Sequence, residues 1–472
     1  MKRSALLRAL LPAVLAFAGL SSTVSAAREP VAAPGADTGI VGVREAQLDP
    51  EYWVRNQKQS ATKTVLDRSA IAAQNARLQL ADPSLHDIED LPQTLDAARV
   101  KGWVEALSRR PEKTLYDEAG KQGSTRQIDK LVASLDLKGI PDMQVTRYGL
   151  ITRRIDLRTF PSVLRVFDST DDTDIDRFQE SALFPGTPVV IAHVSRDRKW
   201  WFVVSNLYAA WVEREAVAEG DKAQVFGYAR KAPYLVVTGA TARTVFTPEQ
   251  PQVSDLQLEM GVRVPLLAQW PLDRPVNGQH PYASHVIELP IRDKNGALLL
   301  VPALLPRTQD VATDYLPLNR ANLVRQSFKF LGERYGWGHS YNARDCSGFV
   351  SEVYRSFDVQ LPRNTRDQAV SPALNRIAFA PDDSHAKRIA VVKSLQVGDL
   401  VYIPGHVMMV IGNERGEPYV IHDTAGISWH KPDGTLTSAH LNGVSVTPLM
   451  PLMSTETVPT IDRITNIQRI RP

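Results

Sequence analysis

The sequence predicts a multidomain α+β protein: a helical N-terminal region, two small β-barrels in succession, and a C-terminal domain whose helices precede an antiparallel sheet. Three observations carry this. Up to about residue 136 the apolar residues recur at three- and four-residue steps. Around Gly139–Pro141 the texture changes to short β-rich runs bounded by turn residues. After Pro317 it changes again, to two helical stretches followed by strands. A chain of 472 residues has room for about three or four domains.

The N-terminus reads as a signal peptide over residues 1–26. Lys2, Arg3 and Arg8 precede an apolar run from about Leu10 to Leu20, and "VSA" ending at Ala26 offers a small-x-small cleavage site. The alternative is a membrane anchor, but the run is short for a bilayer span. No cysteine near the cut offers a thiol for lipid attachment, and no later segment is long and apolar enough to span a bilayer. The mature chain is therefore expected to have no membrane anchor. Residues 1–26 hold three basic and no acidic side chains, so the remainder carries 52 of each sign. This balance gives no argument for nucleic acid or an anionic membrane surface as partner.

Residues 27–140 combine an Ala-, Pro- and Gly-rich leader, to about residue 50, with several short helices such as "TVLDRSAIAAQNARLQLAD". Trp53 and Trp103 are expected as core anchors there. Residues 141–219 hold "YGLITRRIDLR", "PGTPVVIAHVS", "KWWFVVS" and "AAWVERE", the strands of a first small barrel. Residues 220–310 repeat the texture as a second barrel, with "DKNG" as a hairpin turn at Asn295-Gly296. Residues 315–472 form the last domain. A helix from about Asn319 to Leu331 ends at Gly332. A second helix begins in "DCSGFVSEVYRSF", with Phe349, Val350, Val353, Tyr354 and Phe357 on one face. The strands "GDLVYIP", "HVMMVIGNE", "EPYVIHDTAG" and "GVSVTPL" follow.

Cys346, the only cysteine, stands at the start of that second helix. A lone thiol in an exported chain is buried and inert, paired with another chain, or kept because it reacts. Free N–H groups and the helix dipole favour an anion at this position, so the thiol is expected to lose its proton readily. Asp345 beside it opposes that effect and so has another task, such as holding a cationic group. A thiolate nucleophile needs a histidine partner. Of ten histidines, His406 opens a strand after the Pro404-Gly405 turn, and His422 lies near the end of the next strand. Adjacent antiparallel strands can bring the two together, which is the cysteine–histidine–polar logic of papain-like enzymes. His339 and the other seven stand in loop-like or polar settings. A histidine pair could also bind zinc, yet there is no HExxH motif and no third ligand at suitable spacing. No metal and no cofactor are expected.

The segments "RYGWGHSYNARDCSGFVSEVYRSFDVQLPRNTRDQA" and "LQVGDLVYIPGHVMMVIGNERGEPYVIHDTAG" resemble the NlpC-type bacterial cell-wall cysteine peptidases. The matching pieces are D-C-S-G-F/L-V, L-P-R-x-T/S-x-x-Q, G-D-L-V, H-V and V-I-H, in that order, over roughly Ala321 to Gly426. The resemblance implies a papain-like catalytic domain with Cys346 as nucleophile, His406 as base and acid, and His422 as the orienting residue. It implies hydrolysis of the γ-D-glutamyl–diamino acid amide in peptidoglycan stem peptides. The domain order resembles the branch in which SH3-like barrels precede and wall the catalytic cleft. Members of that branch need a free N-terminal L-alanine. There the residue in place of Asp345 holds the substrate amine, with Ser347 beside it. Tyr335 matches a cleft tyrosine, and Tyr208 is the candidate from the first barrel. The expected protein is a monomer, exported to the periplasm or beyond the cell. Two alternatives stand beside this reading: a remodelling endopeptidase acting on intact murein, and a wall-binding protein without activity.

Overall fold

The computed structural model describes residues 37–471. The expected signal peptide, residues 1–26, and the first part of the leader lie outside the described residues. Among the described residues no helix is long and apolar enough to cross a membrane.

Helices α1 (Pro50–Asn56), α2 (Arg68–Ala81), α3 (Ala97–Leu107) and α4 (Thr125–Ser134) occupy the N-terminal region. Each is capped by a side chain that accepts from a first-turn N–H: Asp49, Asp67, Asp96 and Ser124 in turn. These helices share no core of their own. Trp53 and Ile71 are buried with Phe328, Phe349 and Ile421 of the C-terminal domain, and the strand Thr64–Leu66 pairs with Leu318–Asn319. Trp53 donates from Nε1 to the Gln47 carbonyl at 2.8 Å. Its ring lies so close to the strand carrying Gly412 that a Cβ there would meet it at 2.6 Å. Val100, Val104 and Leu131 join Phe160, Phe202 and Trp211 of the β-rich block. Trp103 is only half-buried. Residues 43–48, expected in a loose leader, are ordered: Val43 and Gln47 are buried, and Arg44 and Gln47 both bond to Glu414.

The first β-rich block contains β1 (Arg147–Ile151), β2 (Ile155–Arg158), β3 (Gln179–Leu183), β4 (Pro188–Val194), β5 (Trp200–Val204), β6 (Ala209–Glu213) and β7 (Val217–Gly220). They form one antiparallel sheet in the order β7-β1-β4-β5-β6-β2-β3. Alternation along each strand fills two cores. Val190, Phe202 and Trp211 face the N-terminal helices, while Ile191, Val203 and Val212 fill the other face. Among the described residues β7 and β3 do not pair, so the strands of this small barrel follow an open path.

The second block starts with α5 (Lys222–Arg230) and then holds three small sheets. Tyr234–Val237 lies between Arg263–Pro265 and Val311–Ala312. Thr241–Arg243 pairs with Gln257–Glu259. Ser284–Arg292 and Leu298–Pro306 form a long hairpin, turned at Gly296 with φ 97°. These sheets share one core through Leu235, Leu258 and Ile287. Here too the strands form no closed path among the described residues. Period-2 patterns specify strands; they do not specify which strands pair.

The C-terminal domain carries α6 (Arg320–Phe328), α7 (Cys346–Arg355), α8 (Thr365–Val370) and α9 (His385–Val392). Its sheet contains β8 (Asn375–Ala378), β9 (Leu400–Ile403), β10 (His406–Glu414), β11 (Glu417–His430), β12 (Leu436–Pro448) and β13 (Asn466–Arg469). The strand order is β8-β13-β9-β10-β11-β12. The predicted apolar face of α7 is buried, with Phe349, Val350, Val353, Tyr354 and Phe357 all at 0% exposure. It packs on β10 and β11, which brings the N-terminus of α7 beside the start of β10.

Candidate active site

Cys346 is the first residue of α7, and Asp345 caps the helix by accepting from the Gly348 N–H at 2.8 Å. His406 is the first residue of β10, delivered by the turn at Gly405, whose φ is 81°. The register of β10 and β11 pairs Met409 with Ile421. His406 and His422 therefore fall on one face, within diagonal reach. Their rings meet: His406 Nε2 lies 2.7 Å from His422 Nδ1. His422 Nε2 lies 3.1 Å from Thr447 Oγ1 on β12. Where His422 donates its Nε2–H to Thr447, its Nδ1 accepts from the Nε2–H of His406. The Nδ1 of His406 is then left as a free base.

The thiol sits among the same elements. Cys346 Sγ is 3.7 Å from Thr365 Oγ1 and 4.0 Å from the Gly405 carbonyl, and it receives the backbone N–H of Val407. It thus touches the residues on both sides of His406. The expected acid thiol is not the resting state. Burial first, and then the Asp345 charge, push Cys346 up to about 12. Burial also pushes His406 down to about 4. The dipole of a three-turn helix does not outweigh removal of the thiolate from water. At neutral pH the resting pair is a neutral thiol and a neutral imidazole.

Asp345 already holds a cation. Arg363 Nη2 lies 2.9 Å from Oδ2 and Nη1 3.2 Å from Oδ1, and Gly338 N–H donates to Oδ2 at 3.1 Å. Although burial pushes this carboxyl up, Arg363 outweighs it and holds the group at about 2. Ser347 is buried and joins the same cluster. Its hydroxyl donates to Asp345 and accepts from Arg363 at 2.9 Å. Tyr335 is half-buried, its hydroxyl makes no hydrogen bond among the described residues, and burial raises its pKa. Tyr208 donates to Glu180 Oε2 at 2.5 Å. The other oxygen of Glu180 accepts from Thr159.

A cleft of about 910 Å³ opens over the histidine pair, lined by Tyr335, Trp337, His406, His422, Thr424 and His440. A second groove of about 730 Å³ is lined by Tyr208, Arg363 and Asn364, with His86 and Trp103 of the N-terminal region. Thr365, which touches the thiol, follows Asn364 of the second groove directly.

Sequence reasoning brought together Cys346, His406 and His422; the structure pairs the two histidine rings and sets the thiol against Gly405 and Val407, which flank His406. That reasoning missed Glu180, Thr447 and Asp423, and it quoted Arg363 and Thr365 without giving them a role. Both lie in "LPRNT", and that motif was the available signal. Glu180 carried none, because its relevance arises only from packing of β3 against the loop before α7. Asp423 is buried with both oxygens unpartnered among the described residues, and burial pushes it up to about 9. It keeps its proton at neutral pH, and where it ionises it opposes the thiolate.

Residues 332–446 match the model of the NlpC/P60 family, and residues 165–213 that of an SH3 domain of the SH3b1 type. A gamma-D-glutamyl-L-lysine dipeptidyl-peptidase of Bacillus cereus (strain ATCC 10987 / NRS 248) is 26% identical over 219 residues, which cover 44% of this chain and 54% of that protein. The match therefore spans about half the length of this curated relative. The solved structure of an NlpC/P60 endopeptidase from Photobacterium damselae subsp. piscicida superposes with a TM-score of 0.69 at 17% identity, covering 87% of this chain and 94% of that one. That likeness shows the fold. The protein is thus built around a domain of the NlpC/P60 family, preceded in the chain by an SH3 domain of the SH3b1 type.

Proposed function

We propose that the protein is an exported cysteine peptidase of peptidoglycan stem peptides. It hydrolyses the amide between the γ-carboxyl of D-glutamate and a diamino acid, in peptides with a free N-terminal L-alanine. The observation that carries this is the relay Thr447–His422–His406 beside the Cys346 thiol.

The reaction follows from the neutral resting pair. As Cys346 Sγ attacks the γ-carbonyl, His406 Nδ1 takes the thiol proton, so charge separates only during attack. His422 keeps the ring in the useful tautomer and spreads the new positive charge towards Thr447. The oxyanion meets the backbone N–H groups at the start of α7, and the unpartnered Tyr335 hydroxyl lies in the same cleft. His406 then gives its proton to the leaving amine. Water, activated by the same histidine, cleaves the thioester and restores the thiol.

The preference for a free amine rests on Glu180. Asp345 is matched by Arg363, whereas Glu180 is bonded only by neutral hydroxyls, those of Tyr208 and Thr159. A substrate ammonium supplies the missing cation. The test compares free L-Ala-γ-D-Glu-diaminopimelate with its N-acetylated form by mass spectrometry, with Cys346→Ala as control. Cleavage of only the free-amine peptide is expected. Equal cleavage of both overturns the amine preference and favours intact murein. Turnover by Cys346→Ala overturns the mechanism itself.

A further inference from the structure

We propose that His339 is a positioning residue for the nucleophile: a neutral imidazole that locks the Arg363 guanidinium onto Asp345 and seats the first turn of α7. This rests on Cys346 as the nucleophile.

Three observations carry it. The first is the backbone. His339 has φ 67°, in the left-handed region, which a non-glycine residue occupies only when its surroundings hold it there. Arg154 Nη2 grips its carbonyl at 2.6 Å. Gln179 Nε2 grips the carbonyl of Gly338 at 2.8 Å. Both grips come from the SH3-containing block. The second observation is the ring chemistry. His339 is 4% exposed, and both of its ring nitrogens are partnered. Arg363 Nη2 stands 3.1 Å from Nδ1. Arginine only donates, so Nδ1 carries no proton. Glu352 Oε1 stands 3.1 Å from Nε2 and accepts the ring's N–H. The partners themselves thus select one neutral tautomer, and burial agrees by pushing the group down to about 4. The third observation is contact with α7. A Cβ on Gly348 would meet His339 Cε1 at 2.6 Å. The ring therefore abuts the first helical turn, two residues after Cys346, and requires glycine there.

The charged groups around this ring form one chain. Arg344 Nε bonds Glu352 Oε2 at 2.6 Å, and its Nη1 bonds Glu333. Arg355 lies 3.8 Å from Glu352. Arg363 faces the ring from the segment before α8 and holds Asp345, Ser347 and Ser181. Phe184 covers the remaining edge. Asp345 raises the pKa of the Cys346 thiol, and Arg363 is what compensates that charge. An arginine fork left free to swing compensates it less. His339 therefore serves ionisation of a thiol with which it shares no hydrogen bond.

Because Cys346 is the only cysteine, iodoacetamide alkylation of the full chain reads a single site. The variants are His339→Asn and His339→Gln. The Asn amide oxygen falls near the position of Nδ1 and retains the acceptor for Arg363; Asn also tolerates positive φ. The Gln amide reaches Glu352 and abandons Arg363. We expect His339→Gln to shift the alkylation pH profile upward and to lower kcat by about 10- to 100-fold, the scale for a misplaced nucleophile, with KM little changed. His339→Asn is expected to keep a profile near that of wild type and to recover most of kcat. Coincident alkylation profiles for all three proteins overturn the proposal and leave Cys346 as nucleophile untouched. Equal losses in both variants also overturn it, since they assign the ring a packing role alone. Cys346→Ala, run alongside, tests the underlying assignment separately: it must neither alkylate nor turn over.

Discussion

The relay from Thr447 through His422 to His406 supports a graded series of replacements. His422→Ala removes a 2.7 Å bond between a buried ring and a half-buried one and leaves His406 Nε2 without a partner. An unsatisfied buried polar group costs about 1–3 kcal/mol. If that cost falls on the orientation of the base, kcat drops by about 5- to 160-fold at 1.36 kcal/mol per tenfold. Thr447→Val removes only the outer bond of 3.1 Å. A neutral hydrogen bond is worth about 0.5–1.5 kcal/mol, which predicts a loss of about 2- to 13-fold. His406→Ala removes proton transfer itself, a loss of about 10²- to 10⁴-fold. The assay is release of the diamino acid from the free-amine peptide, followed at saturating substrate, with circular dichroism to confirm folding. The expected order of damage is His406, then His422, then Thr447. Equal losses for His406→Ala and His422→Ala refute the separate roles, and a Thr447→Val enzyme worse than His422→Ala refutes the direction of the relay.

Three further outcomes are expected. Burial holds His406 at about 4, so its base form persists well below the ordinary histidine range near about 6.5. The acid limb of kcat/KM for the free enzyme should fall near pH 4; a limb near 6.5 contradicts the buried geometry. Asp345 is held at about 2 by Arg363 against the effect of burial, below the ordinary carboxylate near about 3.9. Its ion pair therefore stabilises the fold above about pH 4, and that contribution is lost as pH falls towards 2. The difference in Tm between wild type and Asp345→Asn should be largest above pH 4 and close towards pH 2; a difference that widens on acidification reverses the sign and defeats the assignment. Trp53→Ala should cost about 3–5 kcal/mol in urea unfolding and destabilise the catalytic domain, because Trp53 is fully buried in that domain's core. Loss confined to the β-rich blocks would contradict this packing.

The catalytic helix and strands were legible because their signals are local. The apolar face of α7 repeats within ten residues, and β10 runs over His406–Glu414 as the "HVMMVIGNE" pattern implies. The pairing of His406 with His422 was also legible, since two strands joined by a short turn must be neighbours. What depended on distant partners was not. Burial of Cys346 under residues from α8 and the Gly405 turn reverses the ionisation that its helix position suggests. The expected amine ligand, Asp345, is matched by Arg363, 18 positions on. Glu180 becomes interesting only once β3 docks against the loop before α7. Strand periodicity identified the β-rich blocks, yet carried no information on which strands pair or whether the path closes. The N-terminal helices were legible as helices, but which core each would enter was not.

The sharing of one core between residues 43–53 and the catalytic sheet sets the order in which this chain can fold. Arg44 and Glu414 are 370 positions apart, and Trp53 cannot be enclosed until β10 and β11 exist. Contacts of such separation form late and slowly, and domains that could otherwise fold in order of synthesis must here wait for the last one. Under the proposed function, a chain assembled in this way completes its core, and with it the setting of Cys346 and His406, only when nearly all of these residues are available.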